Sequence, residues 1–307
     1  MSISALEPIV ATLVADGVFG NVCYLGLETD VTVKGTQFLS DLTFINLKVD
    51  GPKGKEVMPL VIKLPRNNAE ESWNRYAMFH NEITMYYEIL SYFGVETNFY
   101  PQLFYGLATN GVEPEKDLLV LENLKYKNFL LSKTILFLDI DHISIAIKKI
   151  AEFHKESFIQ MAKKFKVIDS PPAFHHEFEV INAACIERGV KPIIKKNASV
   201  DLLTEFLNLL KHPIKMKDFI SSPEEPYVVI CHADFCNNNI LYKFDENEKP
   251  IDCVFFDFQF SNYGSPAIDI SFFLYLHTTA ELREKYWDKI LKLYWDTLRK
   301  RVPNQIS

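Results

Sequence analysis

The first hydrophobic positions of the chain, Leu6, Ile9, Val10, Leu13 and Val14, recur at helical spacing and predict a short amphipathic helix over 4–16 that ends near Gly17. The period then drops to two. Over 41–49, Thr43, Ile45, Leu47 and Val49 fall on one face, Gly51-Pro52-Lys53-Gly54 reads as a turn, and Met58, Leu60, Ile62 and Leu64 alternate with Val61 and Lys63 in a second strand. Helical spacing returns over 72–93 through Phe79, Ile83, Tyr86, Leu90 and Phe93, with Ser72 as N-cap and Gly94 as C-terminal stop. The short apolar run Leu118 to Leu121 predicts a further strand.

After Glu122 the pattern is mainly helical. Residues 142–158 place Ile143, Ile147, Ile150, His154 and Phe158 on one stripe with lysines opposite, and 201–210 and 279–300 also read as helices. Between those two lies a hairpin: strand 239–244, the polar turn Asp245-Glu246-Asn247-Glu248-Lys249, and strand 251–256. A small strand-rich part followed by a larger helical part predicts a two-lobed α+β chain, divided into 1–122 and 123–307.

Composition narrows the function. A chain of 307 residues can build two lobes with separate cores, and 48% hydrophobic with 24% charged residues is ordinary for a soluble enzyme. A net charge of -7 without a long basic run argues against a nucleic-acid partner but allows a nucleotide. Cys23, Cys185, Cys231, Cys236 and Cys253 lack the paired spacing of a zinc site, and their sparse, odd count fits a reducing compartment. The N-terminus has no basic segment leading into an apolar run, and no apolar stretch of about eighteen residues occurs, so the chain reads as cytoplasmic and without a membrane span.

The densest chemistry lies in His232-Ala233-Asp234-Phe235-Cys236-Asn237-Asn238-Asn239. Phosphoryl transfer needs a carboxylate to orient the acceptor hydroxyl and take its proton, oxygen ligands for Mg²⁺, and a cation on the phosphates. Asp234 and Asn239, five apart, have the spacing of a catalytic Asp and a metal-binding Asn. Asp257 closes the apolar strand Val254-Phe255-Phe256, and the hairpin that begins at Asn239 should return it beside Asn239. Those two hard oxygen ligands suit Mg²⁺.

The N-terminal part supplies the cation. Alternation puts Val61 and Lys63 on one face, an apolar contact for adenine next to an ammonium for the phosphates. Glu82 is chosen as the partner of Lys63 because its helix phase keeps it beside Ile83 and Tyr86. The segment from Lys34 through Gly35 to Ser40 could cover the phosphates, although one glycine gives it little backbone freedom. Leu121-Glu122-Asn123-Leu124 falls between the two parts as a hinge, with backbone groups of Glu122 and Leu124 toward adenine.

With these segments the chain resembles the ecdysteroid kinase-like family, a branch of the aminoglycoside phosphotransferase and choline kinase group. The carrying stretches are Cys231 to Leu241, Phe256 to Phe273, Leu121 to Leu124, and Phe153-His154-Lys155-Glu156-Ser157, within a similarity spanning roughly 20–300. The resemblance implies a bilobal protein-kinase-like fold that uses ATP and Mg²⁺. It assigns Asp234 as base, Asn239 and Asp257 as metal ligands, Lys63 and Glu82 as the phosphate lysine and its partner, and His232 as a brace of the loop. It also implies that Asp269 supports that loop, with an N-cap role as the alternative, and His154 is expected to be a packed histidine. Ala233 stands where the family usually has Gly, and Cys236 where Trp is common. Family members commonly continue with further C-terminal helices beside the acceptor, and the segment between His154 and His232 is short for the family, so the acceptor wall is expected to be reduced.

The expected reaction is transfer of the γ-phosphoryl group of ATP to the hydroxyl of a small molecule, an ecdysteroid or similar apolar alcohol by resemblance. The 24 Phe and 14 Tyr could line such a cleft. A choline- or aminoglycoside-type kinase is one alternative, and a non-catalytic pseudokinase-like binding protein is another. The presence of Lys63, Glu82, Asp234, Asn239 and Asp257 together weighs against the second. A protein acceptor is disfavoured because Asp257 is followed by Phe-Gln and stands too close to Asp269 for a long activation segment.

Overall fold

The computed structural model describes residues 2–30, 40–66, 75–93, 99–134, 136–161 and 228–300, with a few single positions between 188 and 208. Helix α1 (Ile3–Ala15) buries Leu6, Val10, Leu13 and Val14, the stripe its spacing predicts. Five strands follow: β1 (Cys23–Thr29), β2 (Ser40–Gly51), β3 (Gly54–Pro65), β4 (Leu103–Leu107) and β5 (Leu118–Glu122). They form an antiparallel sheet in the order β1-β2-β3-β5-β4.

Alternation decides what each face of that sheet meets. Ile45, Leu47, Val49, Leu60, Ile62 and Leu64 pack with α1 in one apolar cluster. Val61 belongs to the opposite cluster, with Phe79, Ile83 and Leu121. β2 and β3 are joined by a two-residue turn in which Gly51 faces Gly54, and Gly54 takes φ +97°, a conformation that favours glycine.

The helix expected over 72–93 is interrupted. The α-helical part, α2 (Arg75–Thr84), gives way to a wider π-turn at Met85–Ile89 and a 3₁₀ turn at Leu90–Tyr92. Met85, Tyr86, Ile89, Leu90 and Phe93 are all buried, a broader apolar face than one straight α-helix presents. Ser72, Gly94 and Gly35 lie outside the described residues, as does the 201–210 helix apart from the helical positions Leu203, Thr204 and Asn208.

Beyond β5 the chain forms β6 (Phe129–Leu131) and α3 (Ile140–Met161), then β7 (Val229–Cys231), β8 (Ile240–Phe244), β9 (Pro250–Phe255) and β10 (Asn262–Gly264), and finally α4 (Ala267–His277) and α5 (Ala280–Leu298). The stripe Ile143, Ile147, Ile150 and Phe153 of α3 packs with Ile290, Tyr294 and Leu298 of α5 and with Phe255, Phe258 and Phe273. The side chain of Phe158 lies outside the described residues. A β-sheet region precedes a mainly helical one among the described residues, so the chain is α+β in the order expected from the sequence. Among the described residues no helix is long and apolar enough to cross a membrane.

Candidate functional site

The loop from His232 to Asn239 leaves β7 and enters β8 through a 3₁₀ turn at Asn237–Asn239. β8 and β9 pair with Ile240 opposite Phe255, and the Phe256 N–H donates to the Asn239 carbonyl at 3.2 Å. The hairpin therefore returns Asp257 to the Asn239 end, as its sequence pattern predicts.

Two buried side chains hold the loop from behind. Asp269, fully buried, accepts the His232 N–H at 2.8 Å and the Ala233 N–H at 2.7 Å, and its Oδ2 lies 3.0 Å from His154 Nε2. Pro266 precedes the first residue of α4, so Asp269 sits inside the first turn and is not its N-cap. His154 is also fully buried, and its Nδ1 meets the Tyr294 hydroxyl at 2.8 Å, the packed place expected for it. His232 turns its ring to the backbone as well: Nε2 lies 3.0 Å from the Phe256 carbonyl, and the ring packs 4.9 Å from that of Phe258. Ala233 has φ +63°, the left-handed region where a side chain is strained and glycine is not.

Asp234 and Asn239 are in contact. Asn239 Nδ2 donates to Asp234 Oδ2 at 2.8 Å and to the Asp234 carbonyl at 3.0 Å. Both amide hydrogens of Asn239 are thereby directed to Asp234, which leaves its side-chain oxygen as the atom able to ligate a cation. Burial pushes the Asp234 carboxyl above its ordinary value and the charge of Asp257 adds to this, against His232 and the Asn239 hydrogen bond. Cys236 is buried rather than open beside Asp234, and burial with the nearby carboxylate pushes its thiol up to about 12.

From the sheet side, Lys63 Nζ donates to Glu82 Oε2 at 2.6 Å and to Asp257 Oδ1 at 2.7 Å. All three side chains are nearly excluded from water. Burial opposes the Lys63 charge, but the two carboxylates outweigh it and raise its pKa. Glu82 is raised to about 7, because burial outweighs the attraction of an ammonium it shares with Asp257. Asp257 reaches Lys63 from a left-handed backbone, φ +67°. The structure thus brings Lys63, Glu82 and Asp257 into one contact, and Asp234 and Asn239 into a second.

The remaining sequence-selected positions are arranged around these. Ser40 is buried at the start of β2 opposite Pro65, and Val61 sits half-buried opposite Leu121. Leu124 is buried with Phe129 and Val254, and Leu241 packs against them. The Glu122 amide donates to the Gln102 carbonyl, so it is not available to a base, and its carboxylate pairs with Lys127. Gly35 lies outside the described residues.

Two polar residues near the site escaped the sequence reading. Asn81 Nδ2 donates to the Gln259 and Ser261 carbonyls, at 3.0 and 2.9 Å, just past Asp257. His277 Nε2 accepts the Asn237 N–H at 2.9 Å. Adjacency to Glu82 was a faint pointer to Asn81; nothing in the spacing pointed to His277. Asn239 and Asp257 offer uncommitted oxygens of the hard kind that Mg²⁺ takes, so these residues fit that ion. Among the described residues no group of three His, Cys, Asp or Glu is placed to hold a metal, so the remaining ligands would have to come from elsewhere.

Comparison with solved structures finds similarity to the GDP and kanamycin complex of APH(2")-IIia, at 13% identity over 94% of this chain and 88% of that one, TM-score 0.46. Choline kinase from Cryptosporidium parvum Iowa II is similar at 12% identity over 90% of this chain and 73% of that one, TM-score 0.44. Plasmodium vivax ethanolamine kinase is similar at 16% identity over 90% of this chain and 64% of that one, TM-score 0.38. No curated protein matches the sequence. The model of the ecdysteroid kinase-like family matches residues 34–304, most of the chain, and the protein belongs to that family.

Proposed function

We propose that this protein transfers the γ-phosphoryl group of ATP to a hydroxyl of a small molecule, with an ecdysteroid-like apolar alcohol as the acceptor class. The observation that carries the proposal is the double contact of Lys63 with Glu82 and Asp257, joined through the β8–β9 hairpin to the Asp234–Asn239 pair. These are the cation, the metal ligands and the carboxylate that the reaction needs. Membership of the ecdysteroid kinase-like family supports the reaction class and, more weakly, the acceptor.

In this reading Asp234 orients the acceptor hydroxyl and takes its proton as the new oxygen–phosphorus bond forms. The bond from the γ-phosphorus to the bridging oxygen breaks, and ADP leaves. The raised pKa of Asp234 makes it a better proton acceptor than an exposed aspartate. Asn239 and Asp257 would hold Mg²⁺, which neutralises charge on the phosphates. Lys63 binds the phosphates with Glu82 behind it, His232 braces the loop, and the segment with Gly35 and Ser40 covers the phosphates. Val61, Leu124 and the Glu122 carbonyl border the base, in a cleft between lobes divided at 122 and 123. A cytoplasmic location completes the proposal.

The test is mass-spectrometric detection of phosphorylated products from a mixture of steroid alcohols, choline and aminoglycosides supplied with ATP and Mg²⁺. A phosphorylated steroid alcohol is expected, and Asp234→Asn should reduce its formation by about 10²–10⁴-fold if the carboxylate is the base. Products confined to choline or aminoglycosides would move the acceptor to a cationic class. ATP binding without any product would identify a non-catalytic binding protein.

A further inference from the structure

His277 ends α4 and has no part in the chemistry proposed above, yet its ring reaches the same loop. It is buried, with Nε2 2.9 Å from the Asn237 backbone nitrogen and Nδ1 3.1 Å from the Leu136 carbonyl. A backbone N–H can only donate and a carbonyl can only accept. The two neighbours therefore select the neutral imidazole with its proton on Nδ1 and a lone pair on Nε2.

The surrounding bonds make this ring a junction. The His277 carbonyl accepts the Leu138 N–H at 2.8 Å, and the Asn237 side chain donates to the Thr134 carbonyl at 2.9 Å. The end of α4, the backbone at Thr134, Leu136 and Leu138, and the 3₁₀ turn at Asn237–Asn239 are thus tied together. Asn237 opens that turn, where a backbone N–H has no partner within the turn itself, and its residue is buried. The imidazole lone pair supplies the missing acceptor two residues before Asn239.

We propose that His277 is a positioning residue for phosphoryl transfer: its neutral ring holds the Asn237–Asn239 turn in the place from which Asn239 meets Asp234. The inference rests on the proposed kinase reaction. Protonation would put an N–H on both ring nitrogens and face one of them against the Asn237 N–H, releasing the turn. Burial lowers the pKa of His277 below the ordinary histidine value of 6.5, so the neutral ring persists at neutral pH. Around it, Phe273 of the same helix packs 5.5 Å away, and Arg283 of α5 binds the carbonyl and hydroxyl of the adjacent Thr278. Asp139, next to Leu138, is engaged with His142, and Asp234 is held by Asn239.

The test uses the full chain labelled with ¹⁵N-histidine, with H277Q to assign the ring signals. The expected result is a neutral Nδ1–H tautomer at pH 7 and, in uniformly ¹⁵N-labelled protein, a fall in protection of the Asn237 amide relative to its intrinsic exchange rate as the His277 ring titrates below pH 6.5. An Nε2–H tautomer, an imidazolium at pH 7, or Asn237 exchange indifferent to that titration would overturn the proposal. The second measurement is Mg-ATP hydrolysis. H277L is expected to lower kcat by about 10- to 100-fold with KM for ATP changed by less than about twofold, the signature of misplacement rather than lost binding. H277Q keeps an acceptor near the position of Nε2 and should retain kcat within about threefold while losing the acid limb due to His277. Unchanged kcat in H277L, or an unchanged acid limb in H277Q, would defeat the assignment. Should H277L fail to fold, the H277Q profile decides. If the wild type hydrolyses no ATP and phosphorylates none of the alcohols named above, the kinase reading fails, and the tautomer and Asn237 exchange still decide whether the ring holds the turn.

Discussion

Lys63 and Asp257 stand 194 positions apart in the chain and 2.7 Å apart in space. One lies in the middle strand of the N-terminal sheet and the other two residues past β9, so this contact ties the sheet region to the β8–β9 hairpin. The same ammonium lies 2.6 Å from Glu82. Above about pH 7, where Glu82 is ionised, one cation between two carboxylates leaves a net negative charge in a nearly dry site. Such a site is stable only while every member keeps a partner.

Removing Lys63 should therefore be costly to the fold as well as to turnover. Lys63→Met leaves two buried carboxylates facing each other, and urea unfolding should show a loss of roughly 3–5 kcal/mol, the usual consequence of breaking a buried pair. Lys63→Arg should not restore activity, because a planar fork cannot replace a compact ammonium held between two oxygens. An unfolding midpoint equal to wild type for Lys63→Met would show that the pair adds nothing to stability.

Glu82 gives the site a pH dependence of definite sign. Its folded pKa is about 7 against an ordinary value of 4.5, so between these the folded chain holds a proton that the unfolded chain has released. Its contribution to stability then falls as pH rises through that window, by up to about 1.4 kcal/mol per unit. Glu82→Gln removes the titration. Unfolding free energies of wild type minus Glu82→Gln should decline from pH 4.5 to 7 and level off above it. A difference that is flat from pH 4.5 to 7, with any change confined below 4.5, would mean that Lys63 holds Glu82 ionised despite its burial.

Much of this architecture was readable from residue spacing. Alternation in β3 was enough to place Val61 and Lys63 on the face opposite Leu60, Ile62 and Leu64, because a strand offers only two faces. The return of Asp257 to Asn239 followed from the hairpin for the same geometric reason. β1 and β4 were not assigned. Among the described residues β1 pairs with β2 alone, is partly exposed, and shifts register between Tyr24 and Gly26, which breaks the alternation a reader looks for. β4 is half-buried at every position and has its own register shift, so neither face stands out. Asn81 and His277 were hidden for another reason. Their partners are backbone carbonyls and a backbone N–H, groups that every residue carries and no sequence pattern marks.

Ala233 occupies a backbone position that favours glycine. With φ +63° and its N–H held by Asp269, the residue keeps a left-handed conformation that costs an L-amino acid roughly 1–2 kcal/mol. Ala233→Gly removes that strain but adds freedom to the unfolded chain, an opposing effect of about 0.4–1 kcal/mol. The substitution should leave stability unchanged or raise it by up to about 1.5 kcal/mol in urea unfolding. Turnover should be retained, since the Asp269 bond to the backbone N–H survives. A loss of more than about 1 kcal/mol, as glycine causes in ordinary positions, would show that Ala233 is not strained.

Asn81 tests whether α2 and the segment after Asp257 act as one unit. Its amide nitrogen donates to the carbonyls of Gln259 and Ser261, and its neighbour Glu82 holds Lys63, which in turn holds Asp257. The helix thus grips both the side chain of Asp257, through Lys63, and the backbone that follows it. Asn81→Asp keeps the shape but replaces the donor with an oxygen facing two carbonyls, beside a site that already holds the carboxyl groups of Glu82 and Asp257. Unfolding should show a loss of at least about 1–3 kcal/mol, the cost of leaving buried polar groups unmatched. The charge should also push the Glu82 titration above 7, because one more carboxylate disfavours its ionised form. Asn81→Ser, uncharged but too short to span both carbonyls, should lose stability without moving that titration. Equal stability for Asn81→Asp and wild type would mean that the two hydrogen bonds do not couple the helix to the Asp257 segment.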